Sequence, residues 1–265
     1  MQKMLMLAAA ALFMTAVSGF SADFSTQPFN EKLIYSETPE IGKKWHGGIR
    51  DMDVLCLEGY WNVNDWLTLD IVKFGFSDLQ IDSSFKLTDK FLVFTIKSRP
   101  LNLSLKGSPY KLAAGLKIYS STFTMDDESG DPMEMNDKST ILFLTQGWLL
   151  NPKHYLNLFT SLSFRDDKSA STYYFVPGYR FRFGEKWSAS IEYYMTNTEF
   201  LPMKILQFAF DEDKLDFYNM NRDMYSFMFY GFEYQGEHVR VDLHLASHIT
   251  FQSIIVPMVG FGWNF

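Results

Sequence analysis

The amino-acid sequence predicts an all-β fold: a transmembrane antiparallel β-barrel of twelve to fourteen strands, fourteen preferred, behind a cleaved leader. Three observations predict it. Apolar and polar side chains alternate with a period of two over segments of about ten residues. Tight and loose connections tend to take turns along the chain. After residue 23 no apolar run approaches the roughly twenty residues that a spanning helix requires, so a chain in lipid has only strands with which to satisfy its backbone.

Composition narrows the function classes. The 265 residues carry 24 Lys+Arg against 31 Asp+Glu, a net charge of -7, with a pI near 5.2. Such a chain lacks the basic face that neutralises phosphates, so no nucleic-acid partner is expected. Aromatic residues at 17% supply too much apolar surface for a disordered chain. Cys56 is the single cysteine, which excludes an intrachain disulfide framework and a Cys-rich metal site. It alternates with Leu55 and Leu57 and is read as a small residue on the lumen side. A mean hydropathy of -0.11 suits a soluble protein, and equally a barrel whose strands average one greasy and one wet face.

The elements follow in order. Residues 1–22 read as a secretory signal peptide: Lys3 gives a positive start, Leu5 to Val17 an apolar core, and Val17-Ser18-Gly19 a cleavage context, with Ala22 another possible end. Residues 23–265 are then one barrel domain. Strand candidates from residue 52 onward are 52–62, 66–76, 79–87, 90–98, 101–107, 110–123, 139–150, 154–165, 171–184, 187–198, 223–235, 237–247 and 254–265. Single-chain bacterial barrels have an even strand number, and Lys32 to Thr38 (KLIYSET) is the natural fourteenth. Twelve follows if the breaks near 77–79 or 99–101 are bends, or if the N-terminal segment stays outside. Tight turns are expected at Asn62-Val63-Asn64-Asp65, Thr88-Asp89-Lys90, Gly107-Ser108-Pro109, Asn151-Pro152-Lys153, Gly184-Glu185-Lys186 and Gln235-Gly236-Glu237. Looser connections are expected at 39–51, 124–138, 166–170, 199–222 and 247–253. Trp66, Phe91, Tyr110, Tyr155 and Trp187 each open the strand after a tight turn, and form an expected aromatic girdle at one membrane–water interface.

The last residues, IVPMVGFGWNF over 255–265, put Val259, Phe261, Trp263 and Phe265 on one face. This resembles the closing strand of bacterial outer-membrane β-barrels. With the hairpin pattern, the resemblance extends over most of 31–265 and defines a class rather than a family. It implies that Phe261, Trp263 and Phe265 form an assembly signal read by the barrel-assembly machinery. It also implies outer-membrane lipid as surroundings, and the outer membrane of a Gram-negative-type bacterium, after export, as location.

Twelve to fourteen strands should enclose a narrow wet lumen, between the filled eight-stranded barrels and the open sixteen-stranded porins. The inner face is expected to carry a basic wall of Lys97, Arg99, Lys106, Lys111 and Lys117, opposed by the acids Glu192, Glu233 and Asp242. A basic wall favours anions in a pore, while the same charges, paired across the lumen, would only brace the barrel. The function expected is a passive channel for small polar or anionic solutes, with a closed structural or surface-interaction barrel as the alternative and an outer-membrane hydrolase ranked behind both. Residues 199–222 are read either as an inward constriction or as a hairpin above the membrane. Catalysis is not expected. His244 is followed two residues later by Ala246, so the His and nucleophilic Ser two residues apart on one face, as in outer-membrane phospholipases, is missing. The acidic loops 125–137 and 211–216 lack the spacing of a calcium loop, and no cofactor or metal is expected.

Overall fold

The computed structural model describes residues 32, 36–42, 44–52, 56–80, 85–99, 110–127, 133–165, 171–197, 225–248 and 255–265. Among them twelve strands form one closed antiparallel barrel, each paired with its sequence neighbours and the last with the first. They are β1 (Gly47–Met52), β2 (Cys56–Asn64), β3 (Leu67–Gln80), β4 (Phe85–Ser98), β5 (Tyr110–Asp127), β6 (Met133–Asn151), β7 (His154–Arg165), β8 (Thr172–Arg182), β9 (Trp187–Thr196), β10 (Tyr225–Gln235), β11 (Val239–His248) and β12 (Ile255–Asn264).

Period-two alternation sorts the side chains. Ile71, Leu92, Leu142, Phe232, Val241 and Val259 stand exposed on the outside, while their chain neighbours Asp70, Val72, Phe143, Glu233, Arg240, Asp242 and Gly260 are buried inside. A continuous exposed apolar surface around a whole barrel is what contact with lipid requires. β5 and β6 have 18 and 19 residues, about 60 Å at the usual rise per residue. That is well beyond the 9–11 residues needed to cross a bilayer, so this hairpin projects past one mouth.

The preferred count of fourteen is corrected to twelve, for three reasons. First, the described residues of the expected strand Lys32 to Thr38 take no place in the closed ring: Lys32 and residues 36–41 are buried inside the barrel, and among the described residues only an isolated bridge joins Lys32 to Glu37. Pro39, which cannot donate to a ladder, follows directly. Second, four expected strands between 66 and 107 reduce to two. β3 runs through Ser77-Asp78 with a register shift between Phe76 and Leu79, a bulge rather than a turn. β4 runs through Thr88-Asp89-Lys90, which pair with β5 on one side while Asp89 and Lys90 also pair with β3 on the other. Paired neighbours on both sides override the weak local preference of such residues for turns. β4 pairs directly with β5, so no strand stands between them, and 101–107 lies outside the described residues. Third, β1 arises from the end of the expected loop 39–51.

β1 and β12 close the barrel. Gly47 N donates to Phe265 O at 3.1 Å and Phe265 N donates to Gly47 O at 3.0 Å. A Cβ on Gly48 would lie 2.6 Å from the Tyr60 ring, so the missing side chain is what lets Tyr60 lie across β1 and donate to Asn264 Oδ1 at 3.0 Å. Just before β1, Trp45 holds φ at 62°, a left-handed conformation uncommon outside glycine. Its amide donates to Asn62 O at 2.7 Å, which fixes the turn by which the chain leaves the lumen.

The mouth with the short turns carries aromatic pairs: Trp45 with Trp61 at 6.1 Å, Tyr110 with Trp148 at 5.4 Å, and Trp187 with Tyr234 at 5.1 Å between centroids. Trp66 is exposed at the same end. Phe91 and Tyr155 do not belong to this girdle. Phe91 sits in mid-strand beside Tyr119, because no turn precedes it. Tyr155 is 3% exposed: the turn ends at His154, and the next residue points inward. Phe261, Trp263 and Phe265 are exposed on the outer face of the closing strand.

Candidate functional site: a lumen crossed by the N-terminal segment

Lys32 and residues 36–42 form a strap in the lumen that is bonded to eight consecutive strands, β2 to β9. Lys32 Nζ donates to Glu58 of β2 and to Asp70 Oδ2 of β3 at 3.2 Å. The Lys32 carbonyl accepts from Arg180 Nη2 of β8 at 3.1 Å. Glu37 takes Lys117 Nζ of β5 at 2.8 Å and Lys97 Nζ of β4 at 3.3 Å, with Lys32 Nζ at 3.7 Å. Its carbonyl accepts from Thr145 of β6 at 2.7 Å and Asn157 of β7 at 3.0 Å. Ser36 donates its amide to Glu192 Oε1 of β9 at 3.0 Å, and its hydroxyl to the same oxygen. Glu40 receives Lys111 Nζ at 2.8 Å.

These pairs are buried, and buried charges persist only when paired and hydrogen-bonded. Burial by itself would raise the pKa of Glu37, but the ammonium groups of Lys117, Lys32 and Lys97 outweigh it and hold the carboxyl at about 2. Burial would lower Lys32, and Asp70, Glu58 and Glu37 more than reverse that, so its pKa lies above the ordinary lysine value.

Two further layers complete the interior. On β6 to β10 one level of the inner face is apolar: Phe143, Phe159, Val176, Tyr194 and Phe229 form a buried cluster. Lys117 Nζ lies 5.6 Å from the Phe143 centroid and 5.8 Å from that of Phe159, so it touches both the carboxylate and the rings. Where the strap does not reach, side chains brace the wall. Arg240 joins Asp242 at 2.7 Å and Glu233 at 3.2 Å, Arg180 reaches the same Glu233 oxygen at 3.0 Å, and His244 Nε2 lies 3.2 Å from Asp242.

The structure thus brings together Lys97, Lys111 and Lys117 of the expected basic wall, on the strap's carboxylates. Arg99 stands apart at the short-turn mouth, donating to Asp65 O at 2.9 Å. Lys106, residues 1–22 and the loop 199–222 lie outside the described residues. Glu192 holds the strap, whereas Glu233 and Asp242 belong to the arginine network. Sequence reasoning missed Lys32, Ser36, Glu37 and Glu40, because KLIYSET was assigned to the wall as the strand that makes the number even. Pro39 between two glutamates was the available signal. The aromatic layer was missed too; its signal was apolar residues on both faces, as in ILFL at 141–144.

Close approach of the strap depends on Gly147. A Cβ there would fall 2.7 Å from Pro39 Cγ and against the Tyr155 hydroxyl. Gly147→Val is expected to displace the strap at a cost of about 1–3 kcal/mol, measured as protease cleavage within 36–42 that the parent chain resists.

No protein-family model matches the chain, and no curated protein matches it. Among solved structures it is similar to the outer membrane channel DcaP of Acinetobacter baumannii, with a TM-score of 0.33 and 8% identity over 94% of this chain and 69% of that chain. The class is defined by the chain's own architecture: a closed antiparallel barrel, apolar outside and charged inside, of the kind found in bacterial outer-membrane β-barrels.

Proposed function

We propose that the chain is exported behind its signal peptide, inserted into the outer membrane of a Gram-negative-type bacterium by the barrel-assembly machinery, and acts there as a channel for small polar solutes with a preference for anions. The strap is its resting closure. One observation carries this reading: Lys97, Lys111 and Lys117 bond to carboxylates of the strap, a segment outside the ring of wall strands. When the strap leaves, the wall of β4 and β5 presents three ammonium groups to the lumen, and a basic wall selects anions. Asp242 and His244 are fully buried with Arg240, which favours bracing over hydrolysis.

The test is planar-bilayer recording in a KCl gradient with the full chain and its E37Q/E40Q variant. The variant should open in discrete steps, with a reversal potential displaced toward that of chloride. A correctly folded but silent variant removes the channel and leaves the second reading, a closed structural barrel, which the aromatic layer and the fully buried Arg240 network favour. Insertion is tested separately. Val241→Arg on the outer face should cost about 2–4 kcal/mol in lipid if that residue lies near the bilayer midplane, read as a lower urea midpoint for vesicle-inserted barrel.

A further inference from the structure

Glu37 and Glu40 occupy the lysines as a ligand would. Both carboxylates are buried, and each takes a lysine at 2.8 Å. Glu37 sits among Lys32, Lys97 and Lys117. The main chain between them is held as a bound peptide is held: the Glu37 carbonyl is gripped by Thr145 and Asn157, and Pro39 fills the space left by Gly147. The two carboxylates are three residues apart, about 10 Å in an extended chain. Lys97 and Lys117 lie at one level, since Lys117 pairs with Thr95, two residues from Lys97. Lys111 lies six residues from Lys117 along β5, about 20 Å toward the short-turn mouth. The lysines therefore form a track along the lumen, longer than a single small anion can use.

Resting on the channel reading above, we infer that this track is a binding site for extended solutes carrying two or more carboxylates, and that the strap residues Glu37-Thr38-Pro39-Glu40 are an internal mimic which occupies it until such a solute competes. A tethered occupant acts at an effective concentration in the millimolar range when the linker is short. External solutes at lower concentration therefore leave the parent chain closed, and the site becomes measurable once the mimic is weakened.

The probe is the peptide acetyl-Glu-Thr-Pro-Glu-amide, with acetyl-Gln-Thr-Pro-Gln-amide as its control, added to E37Q/E40Q channels in planar bilayers. The expected result is block of the chloride current by the diacid peptide at concentrations at least tenfold below those at which the diamide acts. Adding K97M/K117M should abolish that difference. The parent chain, closed at rest, should stay silent in the presence of the diacid peptide below millimolar concentration. If E37Q/E40Q does not fold, Gly147→Val evicts the strap by bulk and leaves Lys97, Lys111 and Lys117 unaltered on the wall, and the same peptide pair is used on it. Channels that open but respond equally to both peptides overturn the inference and leave the channel standing. A folded variant that stays silent overturns the channel and the inference with it.

Discussion

Arg240→Met is expected to destabilise the barrel by about 3–5 kcal/mol, the cost of removing one partner from a buried ion network. Arg240 is fully buried and is shared between Asp242 and Glu233. Its loss leaves Asp242 with His244 at 3.2 Å and Glu233 with Arg180 at 3.0 Å, and removes the cation that the two carboxylates share. The pair as a whole is a different matter. A buried ion pair replaced by apolar groups of similar size is often neutral, so R240M/D242L should recover most of the loss. The measurement is the urea midpoint of the folded barrel in lipid vesicles. A single variant within 1 kcal/mol of the parent, or a double variant worse than the single, would show that the network is not the brace described here.

The second large effect is release of the strap by acid. In a displaced strap Glu37 titrates near its ordinary value of 4.5, whereas in place it titrates at about 2. A carboxylate whose pKa is depressed by its bound surroundings stabilises the bound state fully above the ordinary value and loses that contribution as the pH falls through the depressed one. The window is therefore pH 4.5 down to 2, and the contribution is on the order of 3 kcal/mol at 1.36 kcal/mol per pKa unit. Lys32, whose pKa is raised, contributes fully below its ordinary value of 10.5 and adds no slope in the acid window. Hydrogen exchange of the amides of residues 36–41, corrected for intrinsic rates, should rise steeply over this range. Glu37→Gln should give fast exchange at neutral pH and flatten the profile. Exchange that stays protected at pH 2.5 in the parent chain would contradict the assignment.

The wall of the barrel was legible because its physics is local. Alternation in LTLDIVKF at 67–74 or VRVDLHLA at 239–246 states which side faces out, and the structure buries Asp70, Arg240 and Asp242 accordingly. What local pattern cannot state is which strands are continuous. Asp89 and Lys90 look like turn residues until β3 and β5 are placed on either side to complete their ladders. The strap was illegible for a related reason. KLIYSET has the length of a short strand and fits an even count, and only the partners of Glu37, which come from β4 to β7 and lie 60 to 120 residues away in sequence, distinguish a segment inside the cylinder from one in its wall. The charge balance held a partial clue. The basic residues of β4 and β5 have few acids opposite them in their own register, and the missing carboxylates were upstream.

In a ring of twelve, β3 and β8 are nearly diametrically opposite, and Lys32 joins them, its ammonium on Asp70 and its carbonyl under Arg180. A thin hollow tube resists stretching far better than it resists being squashed to an ellipse, and a strut across the bore opposes that mode. If the barrel lies in lipid and opens as proposed, lateral pressure from crowded lipid would meet a stiff section while the strut is in place and a pliable one once it is withdrawn, so withdrawing it would change the mechanics of the shell as well as the width of the bore.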